Sequence, residues 1–198
     1  MNTQLRMNKE DRKKQICNIA RKIFVEKGLE NTTMKDIMLA SNISVGGLYH
    51  HYKNVNEILI DTINYSYNYK NKLFSSMLKQ YPKKNIESLV IDLTIELLFD
   101  KSDYSVLYVL LLIGSKKSSV LKHYYEDRKE TSTKEFLNFL DDISKYGDVS
   151  SLRCLRDEAF ISFFNSIMIG NYYRNSTNNL NEQKQLYKEY IRFYISKN

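Results

Sequence analysis

The chain has 198 residues, enough for one or two domains with a substantial buried core. Its 42% hydrophobic and 27% charged residues are those of a soluble globular protein, and a single proline (Pro82) with six glycines disfavours a turn-rich sheet fold. The net charge of +7 is unevenly spread: residues 1–53 hold ten Lys and Arg against five acids, leaving +5 there and +2 over the remainder, which marks the first quarter for a polyanion or for a solvated basic helix face.

Two cysteines, Cys17 and Cys154, give neither a disulfide framework nor metal-ligand spacing. The polar N-terminus lacks the apolar segment of a signal peptide. The longest apolar run, Val106 to Ile113, is too short to span a bilayer. A cytoplasmic chain with no membrane partner is expected.

In chain order, apolar residues at helical spacing (Ile16, Ile19, Ala20, Ile23, Phe24) predict a helix from about Lys9 to Lys27, stopped by Gly28. Thr33 and Asp36 form a capping-box pattern opening a short helix that breaks at Ser41-Asn42. Ser44 caps a third, Val45 to His51, in which Gly46 and Gly47 each cost about 1 kcal/mol relative to alanine, so packing must hold it together. Asn54 and Glu57 repeat the cap logic before a long helix ending near Pro82. Further helices are predicted over 84–100, 103–114, 117–145, 151–175 and 182–196, with no strand alternation and no repeat. The fold class is therefore all-α, with a basic domain of short helices over 1–53 and a helical domain over 54–198.

Three short helices within residues 9–52, two of them joined by a tight turn, have the compactness of a helix-turn-helix. The run from Ile19 to Leu59, with Phe24, Gly28, Thr32-Thr33, Ile37, Ala40, Ile43, Ser44, Gly46, Leu48-Tyr49, Tyr52 and Lys53 in order, resembles the TetR-type repressors. The resemblance implies that Thr33, Tyr49 and Lys53 touch phosphate. It also implies that Ser44, Val45, Gly46, Gly47 and His50 lie at the groove-facing start and flank of the recognition helix, with His51 against phosphate or a base edge. Two positions depart from the family: Val55 and Gly47 stand where lysine and threonine are common. On the residues alone, Tyr49 and Tyr52 could both be core aromatics, Tyr52 the more so. His50 and His51 point about 100° apart on a helix, which is poor geometry for sharing a metal ion. Cys17 reads as a small buried hydrophobe.

Beyond Leu59 the resemblance is one of length and helical pattern. It implies a domain that binds a small organic inducer, for which Tyr65, Tyr69, Tyr104, Tyr108, Tyr124 and Phe164 are candidate walls, although aromatics at helical spacing are more often core. Glu96 and Glu158 fall in apolar stretches and are candidate counter-charges for a cationic ligand. Phe160, Phe163, Ile167 and Gly170 on one helix, with Leu186, Tyr190, Phe193 and Tyr194 on the last, form stripes suited to a two-fold four-helix dimer interface. A homodimer implies a palindromic double-stranded DNA operator. No nucleophile–base pair, metal set or phosphate-cradling glycine loop is present, so neither an enzyme nor a cofactor is expected. The expected function is a ligand-released repressor. A helical interaction module, or an activator without a small-molecule ligand, stays open.

Overall fold

A computed structural model describes residues 8–80, 85–174 and 179–198, without the side chains of 68–80. Among the described residues the regular structure is helical: α1 (Lys9–Lys27), α2 (Met34–Ser41), α3 (Val45–His51), α4 (Val55–Gln80), α5 (Ile86–Leu98), α6 (Asp103–Gly114), α7 (Ser119–Ile143), α8 (Glu158–Tyr173) and α9 (Leu180–Lys197). No described helix is long and apolar enough to cross a membrane. The chain divides into two compact units, one of residues 1–70 with 102–124 and one of 71–101 with 125–198. Residues 1–53 thus sit within a larger unit that also takes in α6.

In the first unit, helix boundaries follow side-chain caps. Asn8 accepts the Asp11 N–H to start α1, and Gly28 ends it at φ 75°, ψ 172°, a backbone region open essentially only to glycine. The Thr32 hydroxyl then donates to the Gly28 carbonyl at 2.7 Å and closes the loop into α2. The buried stripe of α1 is Ile16, Cys17, Ala20 and Phe24, so Cys17 fills a core position. That stripe packs against α2 and α6. Asn42, in the left-handed conformation at φ 51°, ψ 43°, ends α2. The helix predicted from the run Val106 to Ile113 forms as α6, with Leu107, Val109, Leu110, Leu111 and Leu112 buried.

Close packing joins α6 to the α1–α2 loop. A Cβ on Gly114 would lie 2.7 Å from both Leu29 Cδ2 and Leu121 Cδ1. Around this contact, Arg21 pairs with Asp103 at 3.4 Å, Lys117 pairs with Glu30, and the Asn56 amide donates to the Ser118 hydroxyl at 3.1 Å.

In the second unit α5 packs on α8 and α9, and all but five of its residues are buried. The helix predicted over 151–175 is two elements. Residues Ser150–Arg156 wind as a 3₁₀ segment that buries Leu152 and Leu155, three apart. Asp157 is extended (φ -70°, ψ 163°) and accepts the Phe160 N–H at 2.8 Å, which starts α8 at Glu158. A side chain that caps the backbone this way is an N-cap and interrupts the helix.

Candidate nucleic-acid interface

The short helix α3 is held from its buried side. Leu48 is buried, and Tyr52, which follows the helix, is 2% exposed. The Tyr52 hydroxyl donates to Asp61 Oδ2 at 3.0 Å and lies 3.3 Å from Cys17 Sγ. Lys13 Nζ donates to the same Asp61 oxygen at 2.9 Å and sits 5.0 Å from the Tyr52 ring centroid. One carboxylate on α4 therefore ties α1 to the end of α3. Burial is the main reason that the Tyr52 phenol and the Cys17 thiol are both pushed up from their ordinary values. At the ends of α3, the Ser44 hydroxyl accepts the Gly47 N–H at 3.2 Å. The Asn54 side chain accepts the Glu57 N–H at 3.1 Å, while Glu57 accepts the Lys53 N–H at 2.8 Å.

Anchored in this way, α3 turns its other face to solvent. Val45 is 58% and Tyr49 54% exposed, and Gly46, His50 and Lys53 are exposed as well. Tyr49 is thus a surface residue and Tyr52 a core one. A Cβ on Gly46 would meet nothing within 4 Å, whereas one on Gly47 would lie 2.9 Å from Ile43 Cγ2 and 3.1 Å from Ser44 Oγ. Gly47 serves packing inside the motif, and Gly46 leaves open space outside it. His51 is half-buried. Its imidazole is held below the usual value first by burial and then by the positive neighbours His50, Lys9, Lys13 and Arg12. The start of α1 therefore brings Lys9, Arg12 and the Asp61-paired Lys13 close to the C-terminal end of α3.

Thr33 is placed differently from its expected role. Its hydroxyl donates to Asp36 Oδ2 at 2.6 Å, its N–H donates to the same oxygen at 2.8 Å, and its Oγ1 accepts the Asp36 N–H at 3.2 Å. These bonds hold the Asp36 carboxyl down at about 2, with Lys27 adding to them at 3.0 Å. The donors expected to meet phosphate at the start of α2 already face a carboxylate of the chain itself.

Residues 16–62 match the family described as bacterial regulatory proteins of the TetR family. This is the segment that builds α1 to α3 and the anchoring start of α4. The chain is 28% identical over 131 residues to IcaR of Staphylococcus epidermidis, the biofilm operon icaADBC HTH-type negative transcriptional regulator, covering 65% of this chain and 69% of IcaR. It is 40% identical over 55 residues to the HTH-type transcriptional repressor KstR2 of Rhodococcus jostii, 28% of this chain and 26% of that one. Over that segment the chain matches the TetR family of bacterial regulators. Solved structures share its fold at lower identity. SCO7518 of Streptomyces coelicolor A3(2) matches at TM-score 0.65 and 14% identity, over 93% of this chain and 98% of that one. The multidrug binding protein EbrR, complexed with malachite green, matches at TM-score 0.58 and 12% identity over the same shares.

The ligand candidates divide between the two units. In the first, the Tyr65 hydroxyl is hydrogen-bonded to Glu10 of α1, and Tyr124 donates to Asn64 Oδ1 at 2.8 Å. Tyr104 and Tyr108 stand one turn apart on α6, with the Tyr67 ring 6.3 Å from that of Tyr104. The side chain of Tyr69 lies outside the described residues. In the second unit Phe164 packs on Phe160 at 6.5 Å. Glu96 and Glu158 are exposed and paired with Lys184 at 2.9 Å and Lys129 at 3.0 Å. Both acids are already neutralised at the surface, which removes them as counter-charges for an enclosed cation. Helical phase explains the misreading: apolar neighbours in sequence do not put a residue on the buried face.

The dimer candidates also separate. Phe160 is 3% exposed, with its ring 5.4 Å from that of Tyr194, and the Tyr194 hydroxyl donates to the Asp157 cap at 2.6 Å. Phe163 packs on Tyr190 at 4.3 Å. These four cement α8 to α9 within one chain. Facing outward are Leu186 (63% exposed), Phe193 (60%), the edge of Tyr190, and on α8 Gly170. Ile167 is half-buried. Sequence reading missed Ala159, Ser162, Ser166 and Tyr173, which extend the exposed α8 face through Gly170. Their helical spacing was visible, but small residues carry little hydropathy. It also missed Lys13 and Asp61, whose meeting joins positions 48 apart.

Proposed function

We propose that this regulator is a homodimeric repressor that binds a palindromic operator with α3 in the major groove and is released by a small organic ligand. The exposed face of α3, fixed from behind by Leu48 and the Tyr52–Asp61–Lys13 cluster, carries this reading. A helix held by its buried side, with cations at its flank, meets the requirements of groove insertion with phosphate contacts. Val45, Gly46, Tyr49 and His50 face the bases, while Lys53, His51 and the α1 cations Lys9 and Arg12 face phosphate. Gly47 and Ser44 shape the turn.

The outward face of α8 and α9 supports the dimer. Small residues on α8 let a partner helix approach closely, and Leu186 with Phe193 supplies the apolar area that two-fold pairing would bury. For the ligand, EbrR's dye is a precedent from a shared fold. In this chain Tyr67, Tyr104 and Tyr108 are the aromatic groups best suited to a flat organic molecule. A ligand there would press on α6, whose ends are tied to α1 and its loop by Arg21–Asp103 and by Gly114 against Leu29. It would release DNA only through higher affinity for the non-binding arrangement.

Selection of bound sequences from random duplex DNA at physiological salt tests the reading, because non-specific affinity is steeply salt-dependent. Two inverted half-sites with centres about 34–36 Å apart, or a further helical turn, are expected. Salt-sensitive binding without a motif would overturn it.

A further inference from the structure

The face that α3 presents has its hydrogen-bonding side chains, Tyr49, His50 and His51, only in its second half. Direct readout of guanine or adenine uses Arg, Lys, Asn or Gln in bidentate contact, and α3, Val-Gly-Gly-Leu-Tyr-His-His, has none of these. The preceding Ser44 hydroxyl is engaged by the Gly47 N–H. Gly46 and Gly47 have no side chain, and Leu48 is buried. Over the first four residues of the helix, the only side chain reaching solvent is therefore the branched aliphatic group of Val45, with Tyr49 one turn further on.

Beside Val45 the surface is bare: apart from the adjoining residues and backbone of α3 itself, nothing lies within 4 Å of where a Gly46 Cβ would be. An aliphatic side chain next to a missing one is a shape that accepts a methyl group. Among the base edges of the major groove, the methyl group is that of thymine C5. The occupant of this apolar spot is argued from the cations at the other end of the same short helix: Lys9 and Arg12 beside His51, with Lys53 just after α3, favour a polyanion over an apolar protein partner on this face.

We propose that Val45 is the specificity-determining residue of the recognition helix and that it reads a thymine C5-methyl group in each half-site, with Gly46 allowing the helix to seat close enough for contact. This inference rests on the assignment of α3 as the major-groove helix. The apolar contact gives the preference for thymine, and Tyr49, His50 and the flanking cations fix the register.

The test uses full-length protein and the operator recovered by selection. Each thymine is replaced in turn by deoxyuridine, which removes the C5-methyl and leaves every hydrogen-bonding group in place. Affinity is read by fluorescence anisotropy at fixed salt. One position per half-site should raise Kd about fourfold, the value of one buried methyl-sized group. In Val45→Ala the same deoxyuridine should change Kd by less than about 1.5-fold, because the methyl contact is already gone, while Val45→Ile retains the wild-type response. Val45 is exposed, so both variants should melt as the wild type does, which a circular dichroism scan checks. A defined operator that binds equally well with deoxyuridine at every thymine would overturn the inference and leave the operator reading standing. So would an equal fourfold loss in Val45→Ala. Failure to recover any preferred sequence would overturn both.

Discussion

Two adjacent glycines in α3 should respond to alanine with opposite signs. In a helix interior each glycine costs about 1 kcal/mol relative to alanine, because its backbone has more freedom to lose. At Gly46 the new methyl group meets nothing within 4 Å, so Gly46→Ala should recover most of that about 1 kcal/mol. At Gly47 the same methyl group lies 2.9 Å from Ile43 Cγ2 and 3.1 Å from Ser44 Oγ. Neither atom can step aside easily. The Ile43 methyl is fixed to a branched carbon, and Ser44 Oγ holds the Gly47 N–H at 3.2 Å as the cap of the helix. Overpacking of this kind costs about 1–3 kcal/mol and a lost cap about 1 kcal/mol. Together these outweigh the propensity gain, leaving Gly47→Ala destabilised by about 1–3 kcal/mol. For a chain of this length each kcal/mol moves Tm by about 2–4 °C, so the two variants should melt on either side of the wild type. Thermal unfolding followed by circular dichroism measures this directly. Gly46→Ala should at the same time bind the operator more weakly, since its methyl group points where the bases would lie. Shifts of Tm in the same direction for both variants would refute the steric reasoning.

Tyr52→Phe removes the hydroxyl that donates to Asp61 and leaves that carboxylate with Lys13. A loss of about 1–2 kcal/mol in urea unfolding is expected for a hydrogen bond to a charged group that is partly exposed. The Asp36 carboxyl is held down at about 2 against an unfolded value of 3.8, so its stabilising contribution is fully present above about pH 4 and is lost as pH falls through 2. Acid unfolding of Asp36→Asn should therefore differ from wild type at neutral pH and converge with it toward pH 2. The double variant Leu186→Glu with Phe193→Glu places like charges on the outward face of α9, where the side chains are exposed in one chain. Light scattering should report a monomer with unchanged helical content, and a persistent dimer would move the interface elsewhere. Tyr104→Ala and Tyr108→Ala should weaken the response to an inducing ligand while leaving operator affinity within about twofold, because both stand on α6 and neither belongs to the proposed DNA-contacting set.

The helix-turn-helix was legible because its determinants are local. Thr33, Ser44 and Asn54 each cap a helix within three residues, and the spacing from Phe24 to Lys53 carries the pattern without long-range information. What was lost lies in tertiary phase and partnership. Leu152 and Leu155 suit a 3₁₀ or an α period equally, so only the extended backbone of Asp157 separates the two elements there. Phe160 and Leu186 look alike in a hydrophobic stripe, yet one seals α8 onto α9 and the other faces outward. Glu96 and Glu158 needed lysines from 88 and 29 positions away to explain them. The role of Thr33 was obscured by its own neighbour, since the capping box that made the helix start recognisable also occupies the donors offered to phosphate.

The contact at Gly114 has a consequence for how the first unit moves. With Leu29 on one side and Leu121 on the other, no slack exists for α6 to slide past the α1–α2 loop. Displacement at one side must be handed to the other, as in a wedge driven between two blocks. Amide exchange in residues 28–33 should then rise and fall with that of the last turn of α6 as one cooperative opening, although the two are over eighty positions apart in the chain.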